Sequence, residues 1–110
     1  MEQSRVLDAL AALAHENRLD LVRLLIPHGA QGLAQGEIAR QLSVSASRLA
    51  FHLAQPEQAG LVTARRESRN VFYAVNAQGI GGVLGYVLND CCKSHPEVTA
   101  CCRRIPAADD

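Results

Sequence analysis

Apolar residues recur along this chain at two periods, and the switch between them outlines a fold. Val6, Leu7, Leu10, Leu13 and Ala14 fall at helical spacing, which predicts a first helix over about residues 4–14. A second helix starts near Glu16 and places Leu19, Val22, Leu25 and Ile26 on one face; Pro27 and His28-Gly29 mark its stop. Residues 30–36 read as a loop with a short extended piece at Leu33-Ala34. Residues 37–42 make a short third helix. Ser43-Val44-Ser45 is a tight connection, with Ser45 placed to cap the helix that follows. That fourth helix covers about 46–59, turns Leu49 and Leu53 inward and ends at Gly60. Alternation then replaces the helical period: a strand over 61–66, a turn over 67–70 and a strand over 71–75 predict a hairpin. Asn76 caps a long last helix carrying Ile80, Val83, Leu84, Val87 and Leu88. From Ser94 onward, with Pro96 and Pro106 and an end at Asp109-Asp110, the chain reads as mostly irregular.

The predicted fold class is mostly α with a β-hairpin: a winged helix-turn-helix of five helices plus a wing. Residues 1–93 form a DNA-binding and dimerisation domain, and residues 94–110 a cysteine-containing tail. A short helix, a tight turn and a polar helix form the pair that presents its second member to the major groove. The early residues taken as outward on that helix are Ser45, Ala46, Ser47, Arg48, His52 and Gln55. Their side chains can donate to base or phosphate acceptors, and Arg48 suits a bidentate contact to guanine. Arg65, Arg66 and Arg69 cluster on the wing beside Asn70, where arginine suits phosphates or a minor groove. Blander roles exist for each: arginine on a hairpin also serves solubility, Ser45 is also a cap, and His52 also fits against Phe51 or Leu49. The functional reading rests on their co-occurrence with the fold.

Composition narrows the picture. At 110 residues the chain is one domain's worth, and its core is small enough for dimerisation to help it. Aromatic residues are 4% with no Trp, so the core must be aliphatic. Net charge is zero, yet residues 37–75 hold five arginines against three glutamates, a local +2. The N-terminus, polar at once and amphipathic, is not expected to be a signal peptide, and no run approaches the ~18 apolar residues of a spanning helix. The expected compartment is the cytosol, where thiols stay reduced. No paired catalytic carboxylates, nucleophile elbow or phosphate loop appears, so the chain is not expected to be an enzyme.

The four cysteines are therefore read first as ligands. Cys91-Cys92 end the last helix and Cys101-Cys102 follow in NDCCKSHPEVTACC. Cys91 continues the stripe of Ile80, Leu84 and Val87, and Cys92 that of Leu84 and Leu88, where small buried hydrophobes would also sit. A second vicinal pair in a polar tail is not explained that way. Neighbouring helical residues point about 100° apart, and a tail that folds back supplies a third sulfur. Three thiolates suit a soft ion. Trivalent arsenic or antimony takes a pyramid of three, whereas zinc wants a tetrahedron and usually CxxC spacing, which is absent.

ALAHENRLDLVRLL and GEIARQLSVSASRLAFHLAQPEQAGLVTARRESRNVFYAV resemble the ArsR/SmtB family of metal-responsive bacterial repressors over residues 6–88, most specifically over 38–62. The resemblance implies a winged-helix homodimer, built through its first and last helices, that leaves double-stranded operator DNA when an inducer binds. Some members carry a vicinal cysteine pair at the end of the last helix plus a later cysteine and respond to trivalent arsenic or antimony. This chain matches at Cys91, Cys92 and then Cys101 or Cys102. It lacks the Cys-x-Cys of other members in the third helix. It also lacks the Asp/His/His/Glu set of zinc responders; His95 and Glu97 are too close together to reproduce it. It departs from the family at Pro56, where an apolar residue is usual. Proline there predicts a kink over 52–56 or an early end to the recognition helix.

Gly79, Gly81, Gly82 and Gly85 in the last helix suggest close approach of another backbone, as at a dimer interface. Metalloid binding at the far end of that helix would then shift the dimer and spoil the half-site spacing. A tenfold loss of operator affinity needs a differential of only ~1.4 kcal/mol. Two other functions compete: a thiol redox sensor of the same fold, and a thiol-based metal carrier or oxidoreductase, which would have no use for a helix-turn-helix and wing.

Overall fold

A computed structural model describes residues 2–103; Pro106 and Asp109-Asp110 lie outside the described residues. Helix α1 (Gln3–Leu13) leads into α2 (Glu16–Leu25), whose first turn is capped by His15 accepting from the Asn17 N–H. A 3-10 segment (Ile26–Gln31) and a two-residue strand β1 (Leu33–Ala34) connect to α3 (Gln35–Leu42). Ser43 takes a left-handed conformation that closes α3. Ser45 then caps α4 (Ala46–Gln58), its hydroxyl accepting from the Arg48 N–H at 3.2 Å. The hairpin β2 (Val62–Glu67) and β3 (Asn70–Val75) pairs Val62 with Val75 and Arg65 with Phe72. Strand β1 adds to the other edge of β3, giving an antiparallel sheet in the order β1-β3-β2. Helix α5 (Ala77–Tyr86) runs on through a π-helical turn, Val87–Cys91, and α6 (Pro96–Cys102) follows.

Two aliphatic clusters hold this together. Leu21 and Leu25 of α2, Ile38 of α3, Leu49 and Leu53 of α4, and Val62 and Val75 of the wing form one, so the helix-turn-helix and the wing share a core. Val6, Ala9 and Ala12 of α1 join Leu61 and Val83 in the other, which docks α1 and α5 side by side. The small residues on α1 let the two helices approach closely. Burial of this kind is worth roughly 1.5–3 kcal/mol for each large side chain.

Several expectations are corrected. The described residues hold six α-helices, not five: the segment expected to be irregular forms α6. Pro96 presets its first turn, and His95 Nδ1 accepts from the Glu97 N–H at 3.2 Å. Half of the face predicted for α2 is inward: Leu25 is buried and Val22 packs against the core, but Leu21 joins them while Leu19 and Ile26 are about half exposed. Helix α4 does not end early; it continues through Pro56 to Gln58. Pro56 lies in the last turn, where its missing N–H forfeits a single intrahelical bond, and its ring is fully buried. Asn76 does not cap α5 with its side chain but donates to the Gly60 carbonyl at 2.8 Å. The close approach at Gly79 is made inside this chain, since a Cβ there would stand 2.2 Å from the same Gly60 oxygen. Gly81 has open space around it.

Candidate functional site

The turn and cap that end α3 and start α4 leave one face of α4 in solvent. Ser45, Ser47 and Arg48 are all exposed there. Ser45 and Ser47 hydroxyls stand 3.3 Å apart, and Arg48 carries no ion pair among the described residues. The two hydroxyls and the guanidinium form a donor-rich strip one turn long, the size a base pair or two presents in the major groove.

His52 leaves this set. It falls in the buried stripe of Leu49, Leu53 and Pro56 and is itself 5% exposed. Asn17 Nδ2 lies 3.0 Å from its Nε2, and an amide N–H can only donate, so Nε2 accepts and the ring is neutral. Its Nδ1 is buried without a partner among the described residues. Burial pushes the imidazole below its ordinary pKa, with His15, Arg18 and Arg48 adding to the effect. His15 stacks at a tilt, 4.9 Å between ring centroids. The i, i+3, i+4, i+7 spacing of 49, 52, 53 and 56 already carried this signal. Gln55 stays on the surface, where its Oε1 accepts from Arg18 Nη1 at 2.8 Å, so α2 braces α4 at two points. Phe51, out of phase with the buried stripe, points into solvent beside Arg48.

The wing arginines divide into two kinds. Arg65 is engaged: its guanidinium lies over the Phe72 ring at 4.9 Å and pairs with Glu67 at 3.1 Å. It also donates to the carbonyls of Ala30 and Gln31 at 3.5 and 3.3 Å. It ties β2 to the 3-10 segment across the sheet. Arg66 and Arg69 are exposed and make no ion pair or side-chain hydrogen bond among the described residues. On α3, Arg40 is taken up by Glu37, whose carboxyl is pulled down to about 2 by Arg40 first and Gln41 second.

The chain is similar in sequence and fold to known proteins. A family of helix-turn-helix domains matches residues 13–65. The HTH-type transcriptional regulator YgaV of Escherichia coli is 29% identical over 76% of this chain and 82% of its own. The reduced form of HlyU from Vibrio cholerae is 31% identical, over 76% of this chain and 86% of its own, with a TM-score of 0.59. An ArsR-like transcriptional regulator from Rhodococcus shares the fold at a TM-score of 0.70 and 20% identity, over 88% and 89% of the two chains.

The chain belongs to the ArsR family of winged helix-turn-helix transcriptional regulators.

Membership in this ArsR family makes the chain a DNA-binding regulator and not an enzyme. No helix among its described residues is long and apolar enough to cross a membrane.

One pair of thiols follows α5 and the other ends α6. Cys91 closes the π turn and is exposed, Cys92 is half-buried, and Cys101 and Cys102 are exposed on α6; all four are free. The stripe predicted to carry Cys91 is only partly covered: Ile80 and Val87 are half-buried, while Leu84 and Cys91 are exposed. Lys93 and Ser94 are both left-handed and reverse the chain. The Ser94 N–H donates to the Leu88 carbonyl and its hydroxyl to Asn89 Oδ1, each at 2.8 Å. The reversal lays α6 beside α5, with an open groove between Leu84 and Leu88 on one side and Pro96 and Thr99 on the other. Among the described residues, no three His, Cys, Asp or Glu side chains stand close enough together to hold a metal ion. Among the described residues, then, neither Cys101 nor Cys102 forms a three-donor group with the vicinal pair.

Proposed function

We propose that this chain is a homodimeric repressor of operator DNA that is released when trivalent arsenic or antimony binds thiols at the end of α5 and on α6. The observation carrying this reading is the confinement of every cysteine to one stretch of the chain, residues 91–102, all free and three of them exposed. Cys91 and Cys92 would hold the inducer with Cys101 or Cys102. The donor chemistry suits a soft, three-coordinate ion better than zinc. Since the described residues of one chain do not gather three donors, the third sulfur comes from displacement of α6 or from the partner subunit.

Dimer formation is supported by unpartnered apolar surface on α1 and α5, where Leu7 is 57% and Leu84 52% exposed. A possible ArsR-family regulator from Mycobacterium bovis is described as a homodimeric winged helix-turn-helix DNA-binding domain, at 29% identity. The free, exposed thiols, and a relative described in a reduced form, favour a second reading. In it two thiols give up two electrons and two protons to peroxide, forming a disulfide and water, and this oxidation releases DNA.

The test is a fluorescence-anisotropy titration of the protein bound to a duplex it selects from a random pool. Arsenite, antimonite, zinc and peroxide are added in turn to wild type and to each Cys→Ser variant. Release by arsenite or antimonite that is lost in Cys91→Ser and Cys92→Ser supports the proposal. Release by peroxide alone supports the redox reading. No release by any of the four removes both.

A further inference from the structure

The geometry points to Phe51 as a base-reading residue of α4, making an apolar contact with the 5-methyl group of a thymine in the major groove. The inference rests on α4 being the groove-entering helix. It adds a specificity determinant to a face otherwise made of hydrogen-bond donors.

Phe51 is 67% exposed, the largest exposure among the big apolar side chains of the described residues. The chain has two phenylalanines; the other, Phe72, lies half-buried under the Arg65 guanidinium. Exposure of one apolar residue is ordinary, so position and support decide the case. Ser47, Phe51 and Ala54 follow one another at i, i+4 and i+7, and all are exposed. They form the centre line of the face opposite Leu49, Leu53 and Pro56. Arg48 flanks that line, and the same shallow groove is edged by Ser45, Ser47, Arg48 and Phe51. A ring there shares one exposed face with the donors.

The ring is also held from behind. His52 packs edge-on to it, 5.4 Å between centroids at 74°. His52 is fixed in turn by Asn17 at 3.0 Å. An aromatic side chain with two torsions, braced by a buried neighbour, loses little entropy when it docks. In the major groove the thymine methyl is the one apolar group that distinguishes a base pair. A phenyl ring next to a guanidinium and two hydroxyls thus reads a thymine beside the base Arg48 contacts. The flanking donors make a nucleic-acid partner a better match for this face than an apolar protein groove, which would strand them unpaired.

The experiment uses the full chain and a duplex selected by it from a random pool. Each thymine is replaced singly by deoxyuridine, which removes only the methyl. Wild type should lose about fourfold in affinity at one position per half-site, equal to ~0.8 kcal/mol for a buried methyl. Phe51→Ala should bind the thymine duplex at least fourfold more weakly and show no uracil penalty at that position. Phe51→Leu should retain part of the penalty. Because Phe51 is exposed, circular dichroism and thermal midpoint should match wild type in both variants. A full uracil penalty in Phe51→Ala, or no sensitive thymine in wild type, overturns the assignment while leaving α4 as the reading helix. Failure of wild type to select any duplex overturns the groove reading itself and this inference with it.

Discussion

The side-chain amide of Asn17 on α2 lies 3.0 Å from Nε2 of His52 on α4, so the recognition helix is oriented by a polar bond from the helix behind it. Removing the donor leaves a buried ring nitrogen without a partner. Asn17→Ala should cost about 1–3 kcal/mol of stability, read as a lower urea midpoint at unchanged slope.

The same bond makes the fold sensitive to acid. Burial holds His52 below its ordinary pKa of 6.5, so the unfolded chain takes up this proton more readily than the folded one. The stabilisation is fully present above pH 6.5 and is lost as pH falls below that value toward the folded pKa. His52→Gln keeps a polar partner for Asn17 but cannot titrate. Urea midpoints between pH 5 and 8 should fall toward acid in wild type and fall less in the variant; parallel curves would count against it.

Arg65 and its neighbours should differ in how salt affects them. Arg65 spends its donors on Glu67 and on the Ala30 and Gln31 carbonyls, so Arg65→Ala should weaken DNA binding without changing the slope of log K against log salt. Arg66→Ala and Arg69→Ala should each lower that slope by about 0.9 for every phosphate the side chain neutralises. Binding isotherms at four salt concentrations separate the two behaviours.

Gly79 faces a fixed obstacle, the Gly60 carbonyl at 2.2 Å from the added methyl. Gly79→Ala should destabilise the fold by roughly 1–3 kcal/mol, because backbone must move. Gly36, on α3 with nothing within 4 Å of its Cβ position, should tolerate alanine and gain up to ~1 kcal/mol. Thermal unfolding of the pair checks this.

Elements with a strong period and clear punctuation are legible in the sequence. The α3–turn–α4 unit announces itself through Ser45 and the Leu49–Leu53 spacing, and the hairpin through its alternation. Phase and pairing are harder to read. Leu19 and Ile26 share a helical stripe as convincing as that of Leu21 and Leu25, and only tertiary packing decides between them. The chemistry of His52 argues for an outward place, although its spacing puts it inward. Arg65 looks like its neighbours because its partners, Ala30 and Gln31, are backbone carbonyls far along the chain. Helix α6 depends on a proline and a histidine cap at its start, signals that resemble those of a loop. The thiol pairs are visible as a pattern, but the apolar spacing of Ile80, Leu84 and Val87 does not reveal that Leu84 and Cys91 stay exposed.

The most direct test of the thiol account is arsenic K-edge absorption of the protein loaded with one equivalent of arsenite, in wild type and in the double variant Cys101→Ser/Cys102→Ser. The account predicts three sulfurs around arsenic in wild type, and two sulfurs with one oxygen once α6 has no thiol to give. An arsenic shell that is the same in both proteins, or one with fewer than three sulfurs in wild type, would contradict it.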